Sequence, residues 1–208
     1  MVCGGLACGL FFLIWLAFPQ PDPSLWPPAV RNDAYRVSVT IDGFHSFIDF
    51  PDFSLGLFQE WQAGAKDWYL TANASLVEVG ARALGGSVPG VIRFGVFLQP
   101  YWERNHISPD KVFSFWLSAE GFRRLGEALH RYRGHERIKK GEYWYFPYQR
   151  GYYLLQNCNA FTASALREAG LPLREILAQE GLSMTWQLER CARLQDEMAR
   201  PKPAPTHP

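Results

Sequence analysis

The sequence predicts an α+β domain, an antiparallel sheet with segregated helices, set behind an N-terminal membrane anchor. Three observations predict it. Alternating or aromatic runs come in pairs around tight turns, as residues 35–41 (YRVSVTI) and 44–50 (FHSFIDF) do on either side of Asp42-Gly43. Helical runs follow such strands in blocks and do not alternate with them one for one. The first 18 residues carry no charge and are nearly all apolar.

The elements follow in chain order. Residues 2–18 form the apolar run, and Pro19 stops it. The run sits at the lower edge of the about 17–25 residues that span a bilayer. No small-residue cleavage site follows it, and Leu6-Ala7-Cys8-Gly9 lies before the apolar stretch where a lipoprotein box would lie after it, so residues 1–19 read as an uncleaved anchor more than as a signal. Residues 20–29 hold four prolines and read as a semi-rigid spacer, which assigns Trp26 to the spacer and not to the core. Residues 30–199 form one domain and 200–208 (RPKPAPTHP) a disordered tail.

Within the domain, residues 35–41 and 44–50 are strands, the second ended by Pro51. Residues 55–64 are expected as a short helix and 67–70 as a short extended segment. Residues 75–84 are helical, with Ser75 as N-cap and Glu78 completing a capping box. Residues 91–98 and 112–117 are strands, and a helix runs from Ser118 to about Tyr132. Residues 131–140 form a basic, mobile loop that could touch anionic lipid heads. Residues 143–146 and 152–155 are aromatic strands. Residues 157–169 form a helix closed by Gly170, and 173–178 and 184–198 are further helices.

Charge and cysteine usage exclude several functions. With 21 basic and 20 acidic residues the net charge is +1, so the chain lacks the basic excess of a nucleic-acid binder. The cysteines stand at 3, 8, 158 and 191 with no metal-ligand spacing, and the five histidines do not cluster, so neither a metal nor another cofactor is implied.

One segment carries chemistry. Asn157-Cys158-Asn159 opens a helix of small residues, where exposed N–H groups and the positive end of the helix dipole favour a thiolate and could bind an oxyanion. A cysteine nucleophile needs a base. His45, on a core strand just after a tight turn, is the candidate. For the group that orients the imidazole, Asp67 ranks before Glu60 and Asp49. Asn157, Asn159, Trp68, Trp144 and Tyr153 are the candidate substrate-binding residues, in an aromatic groove. Plain structural roles compete at each position: a small buried thiol, a core histidine, a surface carboxylate.

The residues 42–48 (DGFHSFI), 62–69 (QAGAKDWY) and 157–163 (NCNAFTA) running on to Ala169-Gly170-Leu171-Pro172 resemble, in order, three blocks of an uncharacterised bacterial family, domain of unknown function 2459. That family resembles permuted papain-like proteins of the NlpC/P60 and lecithin:retinol acyltransferase type, whose histidine strand precedes the cysteine helix. The resemblance implies that fold, a Cys158 nucleophile with His45 as general base and acid, and an amide or ester substrate, a small molecule, peptide or lipid of the cell envelope. It also implies a bacterial inner-membrane protein facing the periplasm or the exterior. Ala63 and Ala65 stand where the family has Trp and Asp, and Ser46-Phe47 replaces Thr-Gly. The alternative is thus a non-catalytic envelope-binding module with a degenerate groove. A third reading is an assembly protein acting through its C-terminal helices.

Overall fold

The computed structural model describes residues 19–52, 54–71 and 75–199. The chain is α+β, with one seven-stranded sheet and, among the described residues, six α-helices. The strands are β1 (Arg36–Asp42), β2 (His45–Asp52), β3 (Leu57–Ala65), β4 (Val88–Phe97), β5 (Val112–Trp116), β6 (Ile138–Lys140) and β7 (Tyr143–Tyr152). The helices are α1 (Lys66–Leu70), α2 (Leu76–Gly85), α3 (Tyr101–Arg104), α4 (Ala119–Tyr132), α5 (Cys158–Glu168) and α6 (Gly181–Ala199). The sheet order is β5-β1-β2-β3-β4-β7-β6 and every pairing is antiparallel.

Alternation splits the central strands between two faces. Val37, Val39, Ile41, Ile48, Phe50, Trp61 and Ile92 join α4, α5 and α6 in the apolar core. Nine consecutive residues of α5, Cys158 to Leu166, are buried, because its alanines let the helix lie close against β2 and β3. Ser118 caps α4 by accepting the Gly121 N–H at 3.0 Å, and Ser75 caps α2 by accepting the Glu78 N–H at 3.4 Å. The opposite face carries a polar and aromatic layer. There Glu60, 1% exposed, is held by Arg93 at 2.8 Å and by Arg104, and Arg93 lies over the Tyr143 ring at 4.2 Å.

Several expectations are corrected. Residues 55–64 do not form a helix; they supply β3, a central strand buried on both faces. Their Gln, Glu and Ala residues favour a helix locally, but Arg93, Arg104 and Tyr69 supply the partners that let Glu60 and Gln62 be buried in a strand. Residues 67–70, expected extended, lie in α1, Lys66–Leu70. The first aromatic strand extends to Tyr152 as β7, the expected strand at 152–155 does not form because residues 153–155 turn into α5, and the loop before β7 contains β6. Residues 173–178 hold only a single 3-10 turn, Glu175–Leu177.

The proline-rich segment is not an idle spacer. Trp26 is fully buried, donates its Nε1 hydrogen to Gln195 Oε1 at 2.8 Å and packs edge-on against Phe115. Gly121 and Gly170 leave room for the backbone and side chain of Leu25, which a Cβ at either position would strike. The anchor and tail expectations fall on residues 1–18 and 200–208, outside the described residues. Among the described residues no helix is long and apolar enough to cross a membrane.

Candidate active site

A turn positions His45. Gly43, at φ +59, takes the first place of the two-residue turn between β1 and β2, a place that a type II′ hairpin turn gives to glycine. The register then sets Asp42 directly opposite His45.

A cap positions Cys158. Asn157 is extended, and its Oδ1 accepts the N–H groups of Asn159 and Ala160, both at 3.0 Å. Its Nδ2 donates to the Gln179 carbonyl at 2.8 Å. Cys158 is therefore the first residue of α5. Two contacts pin this helix start to the β2 end of the hairpin. The Phe44 carbonyl accepts from Asn159 Nδ2 at 3.3 Å, and Ser46 Oγ bonds the Cys158 carbonyl at 3.2 Å and the Thr162 hydroxyl at 2.9 Å.

The result is a Cys158 Sγ to His45 Nδ1 separation of 3.7 Å. The sulfur also faces the Phe44 carbonyl at 3.5 Å and Asn159 Oδ1 at 3.9 Å, and the Tyr152 hydroxyl is near enough to influence its ionisation. For Nδ1 to accept the thiol proton, the ring is assigned the tautomer with its hydrogen on Nε2.

The electrostatics differ from the sequence expectation. Cys158 is 2% exposed. Burial pushes its thiol above the ordinary value, and bonds from the Ser46 N–H, the Tyr152 hydroxyl and the Asn159 N–H recover only part of the difference. The helix-start argument predicts the opposite direction, because it leaves out the cost of burial. Burial also pushes His45 below its ordinary value, Asp42 opposes this, and Arg93 adds to it. Both directions favour a neutral thiol beside a neutral imidazole.

Comparison of the chain with family models, curated proteins and solved structures found no match.

Asp67 is turned elsewhere. It lies in α1 and pairs with Arg82 of α2 at 2.5 Å on the surface, because this segment is helical and does not run beside β2. Glu60 is occupied by its two arginines, and Asp49 Oδ1 accepts the Tyr101 N–H at 3.1 Å. The carboxylate that acts on His45 is Asp42, which sequence reasoning passed over. Its Oδ2 accepts from the Tyr101 hydroxyl at 2.8 Å, and the Tyr101 ring stacks on Phe47 at 3.7 Å. The signal was available, since residues flanking a two-residue turn face each other.

The binding candidates divide in the same way. Asn157 and Asn159 hold the helix start, with their side-chain groups engaged as described. Trp68 is exposed on α1. Trp144 sits on β7, three strands from β2, beneath Arg137 at 4.6 Å and Lys139 at 5.3 Å. Tyr153 bridges to Gln156 before α5; its neighbour Tyr152 is the tyrosine at the sulfur. Tyr69 also stands near Cys158, its ring resting over Gly64 and its hydroxyl bonded to Gln62. Among the described residues no cluster of three or more His, Cys, Asp or Glu could hold a metal ion, and Cys158 and Cys191 are both free thiols.

Proposed function

We propose that this protein is a cysteine amidase, peptidase or acyltransferase that works through a Cys158–His45 dyad. The observation that carries the reading is the 3.7 Å approach of sulfur to imidazole nitrogen, with each partner held by its own backbone device. That separation suits direct proton transfer from a thiol.

A neutral pair implies general-base attack. Sγ bonds to the substrate carbonyl carbon while its proton passes to Nδ1, and the carbonyl π electrons move to oxygen. The imidazolium then gives this proton to the departing amine or alcohol as its bond to carbon breaks, leaving a thioester. A water or a second nucleophile, deprotonated by His45, attacks the thioester and releases the acyl product and the thiol. Asp42 favours the transient imidazolium by charge. The Tyr152 hydroxyl favours the ionised sulfur as the thiol proton leaves.

The order of histidine strand and cysteine helix agrees with a permuted papain-like arrangement, and we read the fold that way. In this reading residues 2–18 hold the domain at a bacterial membrane, outside the cytoplasm, and the substrate is an amide or ester of the envelope. A second reading, a binding module with a silent site, draws support from the near-complete burial of Cys158.

The test uses the full chain in detergent with p-nitrophenyl acetate, following acyl transfer to each cysteine by peptide mass spectrometry. The dyad predicts acylation of Cys158 ahead of Cys191, loss of turnover in Cys158→Ala, and slowing by about a hundredfold or more in His45→Ala. Acylation of Cys158 no faster than in the denatured chain would reject the enzyme reading and favour the binding module.

A further inference from the structure

We infer a second ligand site, separate from the dyad: a cationic hollow at the end of α4 that takes the phosphate group of a small phosphomonoester. The hollow, about 280 Å³, is lined by His130, Arg133, Gly134, His135, Arg137 and Phe146. It lies just under the about 300–1,000 Å³ of ordinary ligand pockets, which suits one headgroup-sized molecule.

Four of the six lining residues are basic and none is acidic. Among the described residues neither Arg133 nor Arg137 has a carboxylate partner, whereas Arg123, Arg124, Arg131 and Arg150 all pair with glutamates. Glu136, the acid of the same loop, lines a different hollow with Lys66 and Tyr145. The C-terminus of α4 contributes about half a negative charge through its dipole, and two full guanidinium charges exceed that.

The arginines are also pre-positioned. The Arg133 guanidinium lies 4.6 Å from the centre of the Phe146 ring, and that of Arg137 lies 4.6 Å from the centre of the Trp144 ring. Stacking holds a guanidinium plane in place and leaves its edge donors free, which matches a phosphate's paired oxygens. The backbone beneath is fixed by Gly134 N–H donating to the Pro147 carbonyl at 2.7 Å. His130 is exposed and its ring rests edge-on against Trp61. Burial and then the charge of Arg133 push its imidazole below the ordinary value, so an anion beside it would draw a proton onto the ring.

Two sources supply such a phosphate, a lipid headgroup and a soluble metabolite, and the probes separate them. The full chain in uncharged detergent is titrated at low salt and neutral pH with inorganic phosphate, then with glycerol 3-phosphate and with dihexanoyl phosphatidic acid. Ring resonances of His130 and His135 are followed by NMR. The site predicts saturable shifts of both rings, with affinity weakened about tenfold or more in Arg133→Gln/Arg137→Gln. Arg133→Lys/Arg137→Lys, which keeps charge but not the fork, falls between. Tighter binding of the phosphatidic acid than of glycerol 3-phosphate assigns the site to lipid; equal binding assigns it to a soluble phosphate. Shifts that never saturate, or that persist unchanged in the folded Gln variant, overturn the proposal. Cys158→Ala is expected to bind as wild type does, so this site and the dyad stand or fall separately.

Discussion

At neutral pH the Cys158–His45 pair is expected to rest uncharged, and alkylation kinetics can measure this. Ordinary thiol and imidazole values are 9.0 and 6.5, so moving the proton from sulfur to nitrogen costs about 3.4 kcal/mol in water. Opposite charges 3.7 Å apart return about 4.5 kcal/mol at an effective dielectric of about 20. These nearly cancel, so burial decides. It drives the thiol up and the imidazole down, and the Phe44 carbonyl and Asn159 Oδ1 face the sulfur where a thiolate would need donors. A raised thiol value means a thiolate fraction at neutral pH below the about 1% of an ordinary cysteine. The assay is iodoacetamide labelling of Cys158 against pH in a Cys3→Ser/Cys8→Ser background, read by peptide mass spectrometry. Cys191, fully buried and pushed up to about 12, should stay silent. The Cys158 rate should climb through the ordinary thiol value of 9.0 with no plateau below it, and His45→Ala should leave that profile in place. A plateau with its midpoint below neutrality, abolished by His45→Ala, would refute the reasoning and establish a thiolate–imidazolium pair.

Three further outcomes follow from named contacts. Asp42→Asn removes the carboxylate opposite His45 and should lower the imidazole pKa further; an unmoved NMR titration would remove Asp42 as its partner. Ser46→Ala deletes the buried hydroxyl that ties β2 to α5 and should cost about 1–3 kcal/mol in urea unfolding; a near-neutral result would mean the freed Cys158 carbonyl and Thr162 hydroxyl find other partners. Gly64→Ala drives a methyl into the Tyr69 ring and should cost about 1–3 kcal/mol, most of it relieved in a Tyr69→Ala background; equal cost in both backgrounds would show that the ring is not the obstacle.

The hairpin around Asp42-Gly43 and the Asn157-capped helix were both legible, because a turn that needs glycine and a cap that needs a side-chain oxygen are local demands. The residues that complete the site were harder to read. Asp67 looked suitable as a carboxylate next to an aromatic segment, but α1 turns it toward Arg82. Trp26 looked like part of a spacer because four prolines surround it, yet Gln195, 169 positions away, accepts its indole hydrogen in the core. Residues 57–65 carried helix-forming side chains and became the central strand only because arginines and a tyrosine from other elements satisfy Glu60 and Gln62.

Taken alone, the amino-acid order determined the α+β class, the antiparallel hairpins and the two candidate reactive side chains, since these depend on alternation, turns and caps within a few residues. Tertiary structure decided the burial of the pair and its neighbours. The helix dipole that sequence can see favours a thiolate, whereas burial among β2, Tyr152 and α5 pushes the thiol pKa up. Desolvation is a property of everything packed around an atom, and no stretch of neighbouring residues states it.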